Sequence, residues 1–277
     1  MLPVFLCVPF CISFFGKGGE RIQLLTCFLN QITIDRKLVK ERIEIEMIGI
    51  IGAMDIEVQG LKDRMKNLVT ETVGSIEFST GILHGVECVV ARCGIGKVNA
   101  AMCTQTMILR YDPSAIINTG VAGGIGKGIS IGHIVVAKNV VQHDMDTTAV
   151  GDPKGFLSGP DLVAIPCSEK LIKEVLQAAE DSDGPVCHIG TIATGDQFIH
   201  EQGGLEKIRE AFGASACEME GGSIGQVCYL NHVPFAVIRA ISDNADDESH
   251  IDYREFVGPA AQDSIQLLCR LLERLNS

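Results

Sequence analysis

The stretch Pro234-Phe-Ala-Val-Ile-Arg-Ala-Ile-Ser-Asp243 constrains this chain more than any other. It opens as a nearly continuous apolar run, the pattern of a strand buried on both faces of a sheet. It stops on Ser242 and Asp243 and gives way to the polar loop Asn244-Ala-Asp-Asp-Glu-Ser-His250. Open α/β sheets place ligands and chemistry at the carboxyl ends of such strands. Taken alone, Asp243 reads equally well as a loop acid bonded to its own backbone. The rest of the chain has to decide.

The same pattern recurs upstream. Met47-Ile-Gly-Ile-Ile-Gly52 is a short β-branched strand, and Ala53-Met-Asp-Ile-Glu57-Val opens a helix running to about Met65. Glu57 suits the dipole at a helix start, but it also lies just past a strand's carboxyl end. Ser75–Thr80 and Val86–Arg92 read as a hairpin around Gly81–Gly85. A helix follows over about Lys97–Leu109. Ala115–Thr119 reads as a buried strand closed by a glycine-rich turn over Gly120–Gly128, where backbone could crowd a ligand. His133–Val141 is a further strand, followed by a long loop over 150–167, of the kind that is usually functional. Glu169–Ala179 is a helix, Val186–Ala193 a strand ending in Thr194-Gly-Asp-Gln-Phe-Ile199, and Leu205–Phe212 a short helix. Cys217-Glu-Met-Glu220 leads into a helix over Gly221–Leu230, and an amphipathic helix over Tyr253–Leu275 closes the chain with Phe256, Ile265, Leu268 and Leu272 on one stripe. Roughly alternating strands and helices predict one α/β domain from residue 47 to 277, with helices on both faces of a largely buried sheet.

Residues 1–46 stand apart. Leu2–Phe15 is apolar, broken by Pro3 and Pro9, too short to span a bilayer and without the basic start of a signal peptide. We read residues 1–46 as an extension outside the domain. A net charge of −12 argues against nucleic acid or an anionic membrane as a partner. The 11 cysteines form no CxxC pair and sit mostly in apolar runs, which predicts free thiols and a cytoplasmic protein. The seven histidines make no ligand pattern, so neither a metal nor a cofactor is expected. Gly94-Ile-Gly-Lys-Val-Asn99 only half matches a dinucleotide turn, because Asn99 stands where the third glycine belongs. That disfavours a dinucleotide-dependent oxidoreductase.

Glu57, Glu218, Glu220 and Asp243 thus follow strands. Two carboxyl groups with separate tasks suit hydrolysis at an acetal-like carbon, one protonating the leaving group and the other activating water. From the residues alone this means a hydrolase or transferase acting on a polar small molecule. Six segments then carry a resemblance. Ile48-Gly-Ile-Ile-Gly-Ala-Met-Asp-Ile-Glu-Val58, Gly94-Ile-Gly-Lys-Val98, Asn118-Thr-Gly-Val-Ala-Gly-Gly124, Thr194-Gly-Asp-Gln-Phe-Ile199, Glu218-Met-Glu220 and Arg239-Ala-Ile-Ser-Asp243 resemble, in order, the bacterial 5′-methylthioadenosine/S-adenosylhomocysteine nucleosidases.

The resemblance implies a three-layer α/β/α sandwich with a mixed central sheet, a nucleoside phosphorylase-like fold, and a homodimer. It implies cleavage of the N-glycosidic bond of 5′-methylthioadenosine and S-adenosylhomocysteine, with 5′-deoxyadenosine as a further substrate, in methionine salvage. Carried over residue by residue, Glu57 is the base on the attacking water and Asp243 the acid that protonates adenine N7, oriented by Ser242. Glu220 holds the ribose hydroxyls and Met219 packs on the sugar. Phe198 stacks on adenine, Ile199 reads its edge through the backbone, and Gly123 lets substrate approach. Met54 and Ile95 form an apolar wall at the thioalkyl end. The chain departs from the family pattern at Ile56, at Val121, where the pattern has Ser, and at Val150, where an aromatic is usual. Two rivals remain: a phosphorylase of the same fold, with Arg92 the one basic residue near a candidate turn, and a non-catalytic nucleoside sensor.

Overall fold

The computed structural model describes residues 46–180, 184–244 and 249–277. The chain divides into Met1–Ile43 and Glu44–Ser277, and the account below concerns the second unit. The extension read over residues 1–46 falls, but for Glu46, outside the described residues, as do residues 245–248 of the polar loop.

Among the described residues, ten strands form one sheet. They are β1 (Ile48–Gly52), β2 (Lys66–Val73), β3 (Ile76–Leu83), β4 (Val86–Arg92), β5 (Ala115–Gly124), β6 (Ile134–Gln142), β7 (Ala164–Pro166), β8 (Cys187–Thr194), β9 (Ala214–Glu218) and β10 (Phe235–Asp243). Six α-helices among the described residues accompany them: α1 (Asp55–Lys62), α2 (Lys97–Tyr111), α3 (Glu169–Glu180), α4 (Gln202–Phe212), α5 (Gly221–Leu230) and α6 (Ser249–Leu275). Helices α1 and α3 pack on α6 against one side of the sheet, and α2 packs on α5 against the other. The result is the expected helix–sheet–helix layering. Every residue of β1 and of β10 is buried, because both lie between these layers. A fully buried Ile or Val side chain contributes about 1.5–3 kcal/mol, so these runs anchor the core.

The connections matter more than the count. β1 lies parallel between β4 and β5, and β10 runs parallel to β5. β10 is antiparallel to β6, which leads through parallel β8 to β9, and β9 returns antiparallel to β5. Five strands therefore close a ring, from which β1, β4, β3 and β2 extend as a sheet. β5 and β9 meet only at Gly123↔Cys217 and Gly124↔Ala216. Their carboxyl ends, with that of β10 beside Gly123, converge from opposite directions. The sheet is mixed, as expected, and its ring brings the acid-bearing strand ends together from two sides.

Three local readings need correction. Gly120–Gly124 continue β5 rather than forming a turn, for a reason that lies in the site itself. Residues 81–83 belong to β3, so the hairpin turn is only His84-Gly85, both at positive φ (48° and 88°). Strands β2 and β9 had no counterpart in the sequence reading. β2 is almost wholly exposed and carries no buried stripe, and β9 is too short to show one.

Candidate active site

A cavity of about 290 Å³ opens where these strand ends meet. Its lining includes Glu57, Asp243, Gly123, Phe198, Met219, Glu220, Ser242, Met54 and Ile95, nine residues that the sequence reading had singled out across the chain. Ile199 does not line it. It borders a smaller adjoining recess of about 30 Å³ with Gln197, Phe198 and Asp243. Tyr253, Cys217 and Glu218 also line the main cavity and had not been given a role. No group of His, Cys, Asp or Glu that could hold a metal ion exists among the described residues.

Glu57 is set by backbone alone. Its Oε2 accepts the N–H of Ala53 (2.7 Å) and of Met54 (2.9 Å), and Oε1 accepts the N–H of Val121 (3.1 Å). The first two are orphan donors at the start of α1, so the helix needs the acid as much as the acid needs the helix. The third comes from β5, and it explains the glycine beside it. A Cβ on Gly120 would lie 2.5 Å from Glu57 Oε1. Glycine at this position lets the carboxylate approach the strand. Burial pushes the Glu57 carboxyl above its usual range, opposed by nearby Arg239 and the three N–H donors. A carboxylate of raised basicity that is still hydrogen-bonded on both oxygens is suited to general base work near neutral pH.

Asp243 ends β10 beside Gly123 and is buried, 2% exposed. Ser242 Oγ donates to Asp243 Oδ2 at 3.0 Å and lies 3.5 Å from the Ala122 carbonyl. The hydroxyl thus fixes the acid to the strand. Register brings the two acids to neighbouring positions on β5: Glu57 is bonded at Val121 and Asp243 sits alongside Gly123, two residues further on. At about 3.3 Å per residue this is an offset of roughly 7 Å along β5.

Behind the cavity lies a charged support that the sequence reading missed. Arg239 sits inside the apolar run of β10, 1% exposed, and donates to Glu218 and to Asn118 Oδ1 (2.6 Å). Glu220 Oε2 lies 3.8 Å from the same guanidinium. Glu218 also accepts the Thr194 hydroxyl and the N–H groups of Glu220 (3.0 Å) and Gly221 (2.7 Å), where α5 begins. It is a structural anchor more than a free acid. Burial and the Glu218 charge push the Glu220 carboxyl upward, against Arg239 and the Gly96 N–H, which donates to Glu220 Oε1 at 2.9 Å. One cation thus serves three buried acids, Glu218, Glu220 and Glu57.

The open side of the cavity is apolar. Phe198 and Ile95 are about half exposed, and Tyr253 stands edge-on to Phe198 with ring centroids 5.6 Å apart. Its hydroxyl donates to Met54 Sδ at 3.3 Å, which joins α6 to the start of α1. Nothing in the sequence linked positions 54, 198 and 253, because only the fold brings them together. Arg92 does not line the cavity. It is half exposed and paired with Asp55 at 3.2 Å. Nor do His143, Asp144 and Asp146 line it.

Comparison with known proteins gives the same direction. Residues 47–273 match the family model described as the phosphorylase superfamily. The 5′-methylthioadenosine/S-adenosylhomocysteine nucleosidase of Bacillus subtilis is 39% identical over 230 residues, covering 83% of this chain and 99% of the relative. That of Shewanella pealeana is 44% identical, covering 82% and 99%. Among solved structures, the Neisseria meningitidis nucleosidase in complex with methylthio-immucillin-A superposes with a TM-score of 0.81 at 35% identity, covering 83% of this chain and all of that one. The futalosine hydrolase of Helicobacter pylori superposes with a TM-score of 0.79, also at 35% identity, covering 83% and 98%.

Proposed function

Because the chain belongs to the phosphorylase superfamily and, within it, to the 5′-methylthioadenosine/S-adenosylhomocysteine nucleosidase family, we propose that its cavity hydrolyses the N-glycosidic bond of these two thioadenosines. The observation that carries the reading is the pair of buried carboxyl groups, Glu57 and Asp243, offset by two residues along β5. Glu57 takes a proton from water as its oxygen adds to C1′. The C1′–N9 electron pair leaves with adenine, and Asp243 delivers a proton to N7, so that the base departs neutral. Positive charge that builds on the ribosyl ring is met by the acid-rich wall of the cavity. Glu220, held by the Gly96 N–H, accepts from the ribose hydroxyls. Met219 packs on the sugar, Phe198 on the adenine, and Ile199 reads the adenine edge from the adjoining recess. Met54, Ile95 and Tyr253 supply apolar surface for the thioalkyl tail, and the hydrogen at Gly123 leaves space for substrate.

Water is favoured over phosphate as the nucleophile. The residues that line the cavity include four acids and no Lys or Arg, so a phosphate dianion would meet like charge with no cation in the lining to bind it. The test is adenine release from methylthioadenosine in phosphate-free buffer. Release without phosphate is the expected result. Release only with phosphate would make the protein a phosphorylase, and none under either condition would favour a sensor. Futalosine belongs in the same assay, given the structural neighbour that bears its name.

The finer calls are proposals on the same footing. Val98, Met102 and Leu109 project from α2 and are 73%, 48% and 78% exposed, apolar surface that a homodimer would cover; sedimentation analysis tests it. Activity on 5′-deoxyadenosine and a place in methionine salvage follow from the proposed reaction. A cytoplasmic location is supported by the free cysteines of the described residues, among which no helix is long and apolar enough to cross a membrane. The extension over residues 1–46 is supported by the relatives' near-complete alignment to the remainder. A chain that starts at Met47 should keep full activity.

A further inference from the structure

Two loops frame the cavity without supplying an acid to it: the one at Cys93–Gly96, which carries Ile95, and the one at Gly195–Ile199, which carries Phe198. They are joined underneath by a residue that never reaches the cavity. Asp144, just past the end of β6, accepts the Lys97 Nζ ammonium on Oδ1 at 2.7 Å and the Asp196 N–H on Oδ2 at 2.9 Å. Asp196 in turn accepts the Lys97 N–H at 2.8 Å. That bond caps α2 from another loop, since the residue before the helix, Gly96, has no side chain to do so. Lys97 Nζ also reaches Gln142 Oε1 at 3.3 Å, and the Lys97 carbonyl accepts Ser223 Oγ–H at 2.7 Å.

The last link enters the site. Gly96 holds φ at +98°, a Cβ there would lie 3.0 Å from Asp196 Oδ1, and its N–H donates to Glu220 Oε1. The placement of that N–H therefore depends on the Lys97–Asp196 contact, and this contact depends on Asp144. Hydrogen bonds to both carboxylate oxygens, one of them from an ammonium, hold Asp144 below the usual acid range despite its partial burial.

We propose that Asp144 is a positioning residue for the nucleosidase reaction, one that sets substrate affinity by tying the Ile95 loop to the Phe198 loop and so aiming the Gly96 N–H at Glu220. The proposal rests on the role given above to Glu220 as the ribose ligand. Loops that grip substrate and transition state alike affect KM, not the chemical step. A residue needed only for folding would not separate the two.

The test is steady-state kinetics with methylthioadenosine on Asp144→Asn, Lys97→Met, Glu220→Gln and the Asp144→Asn/Glu220→Gln pair, together with thermal melting. We expect D144N to raise KM about tenfold with kcat held within about twofold, and K97M to act in the same direction. In the E220Q background the D144N effect on KM should shrink to less than about twofold, because the two act through one contact. An unchanged KM in D144N overturns the proposal, as does a loss of kcat with no change in KM. A full tenfold effect persisting beside E220Q overturns the route through Glu220. If D144N does not fold, K97M decides the same question. E220Q alone judges the prior reading: an unchanged KM there would refute the ribose-binding role, whatever D144N does.

Discussion

Gly120→Ala is the smallest change that should disable this site. The added Cβ would stand 2.5 Å from Glu57 Oε1, 3.0 Å from Glu57 Cδ and 3.3 Å from Arg239 Nη1. Carbon and oxygen settle at about 3.5 Å, so the carboxylate must retreat by nearly 1 Å. Oε1 is the oxygen bonded to the Val121 N–H, and a retreat of that size stretches the bond from 3.1 Å beyond use. Loss of a hydrogen bond to a buried charge costs about 1.5–3 kcal/mol. In a domain of this size that lowers the melting temperature by roughly 3–12 °C. Misplacing a catalytic group by about 1 Å costs about 100-fold in rate, or roughly 2.7 kcal/mol. The assay is kcat/KM for adenine release with a melting curve on the same sample. Gly128→Ala is the control: its Cβ meets nothing, and its φ of +78° strains only the backbone away from the cavity. It should cost about 1–2 kcal/mol and leave turnover unchanged. Turnover in G120A within threefold of the parent would mean that Glu57 does not act from where β5 holds it.

Three further outcomes follow from the same geometry. Glu218→Gln leaves the Arg239 guanidinium buried without its nearest carboxylate, so denaturant unfolding should show a loss of about 3–5 kcal/mol. Burial raises the carboxyls of Glu57 and Glu220, and both must be ionised to work. Activity should therefore be lost as pH falls through a value above the ordinary 4.5; a kcat/KM profile whose acid limb lies at or below 4.5 would contradict this. Tyr253→Ala removes the edge contact on Phe198, worth about 0.5–1.5 kcal/mol, plus a piece of cavity wall. It should raise KM by roughly 3–10-fold, whereas Tyr253→Phe keeps the ring and should stay within about twofold.

The legible parts of this protein were those with a local signature. Asp243 stood out because two polar residues end a buried run, and Glu57 because a strand, a glycine and a helix start succeed one another within a few positions. Other residues were hidden by their surroundings. Arg239 sits within the apolar run, and its side-chain partners, Asn118 of β5 and Glu218 of β9, lie more than twenty positions away. Gly120–Gly124 read as a turn because glycine is a turn former in the absence of context. In the fold, the glycine at 120 serves a carboxylate that comes from another element. Tyr253 belongs to α6 and meets Met54 from about 200 positions away. The pairing of β5 with β10, which closes the ring, has no sequence signature at all.

The central claim is a division of labour: Glu57 activates water and Asp243 protonates the departing base. A substrate whose leaving group needs no proton separates the two. Asp243→Asn and Glu57→Gln are each assayed on methylthioadenosine and on the 5-methylthioriboside of 4-nitrophenol, whose anion leaves unaided. On methylthioadenosine both variants should be nearly inactive. On the nitrophenyl substrate D243N should recover to within about tenfold of the parent while E57Q stays nearly inactive, since general acid help is worth about 10²–10⁴-fold only where a proton is needed. Equal impairment of the two variants on both substrates would contradict the assignment.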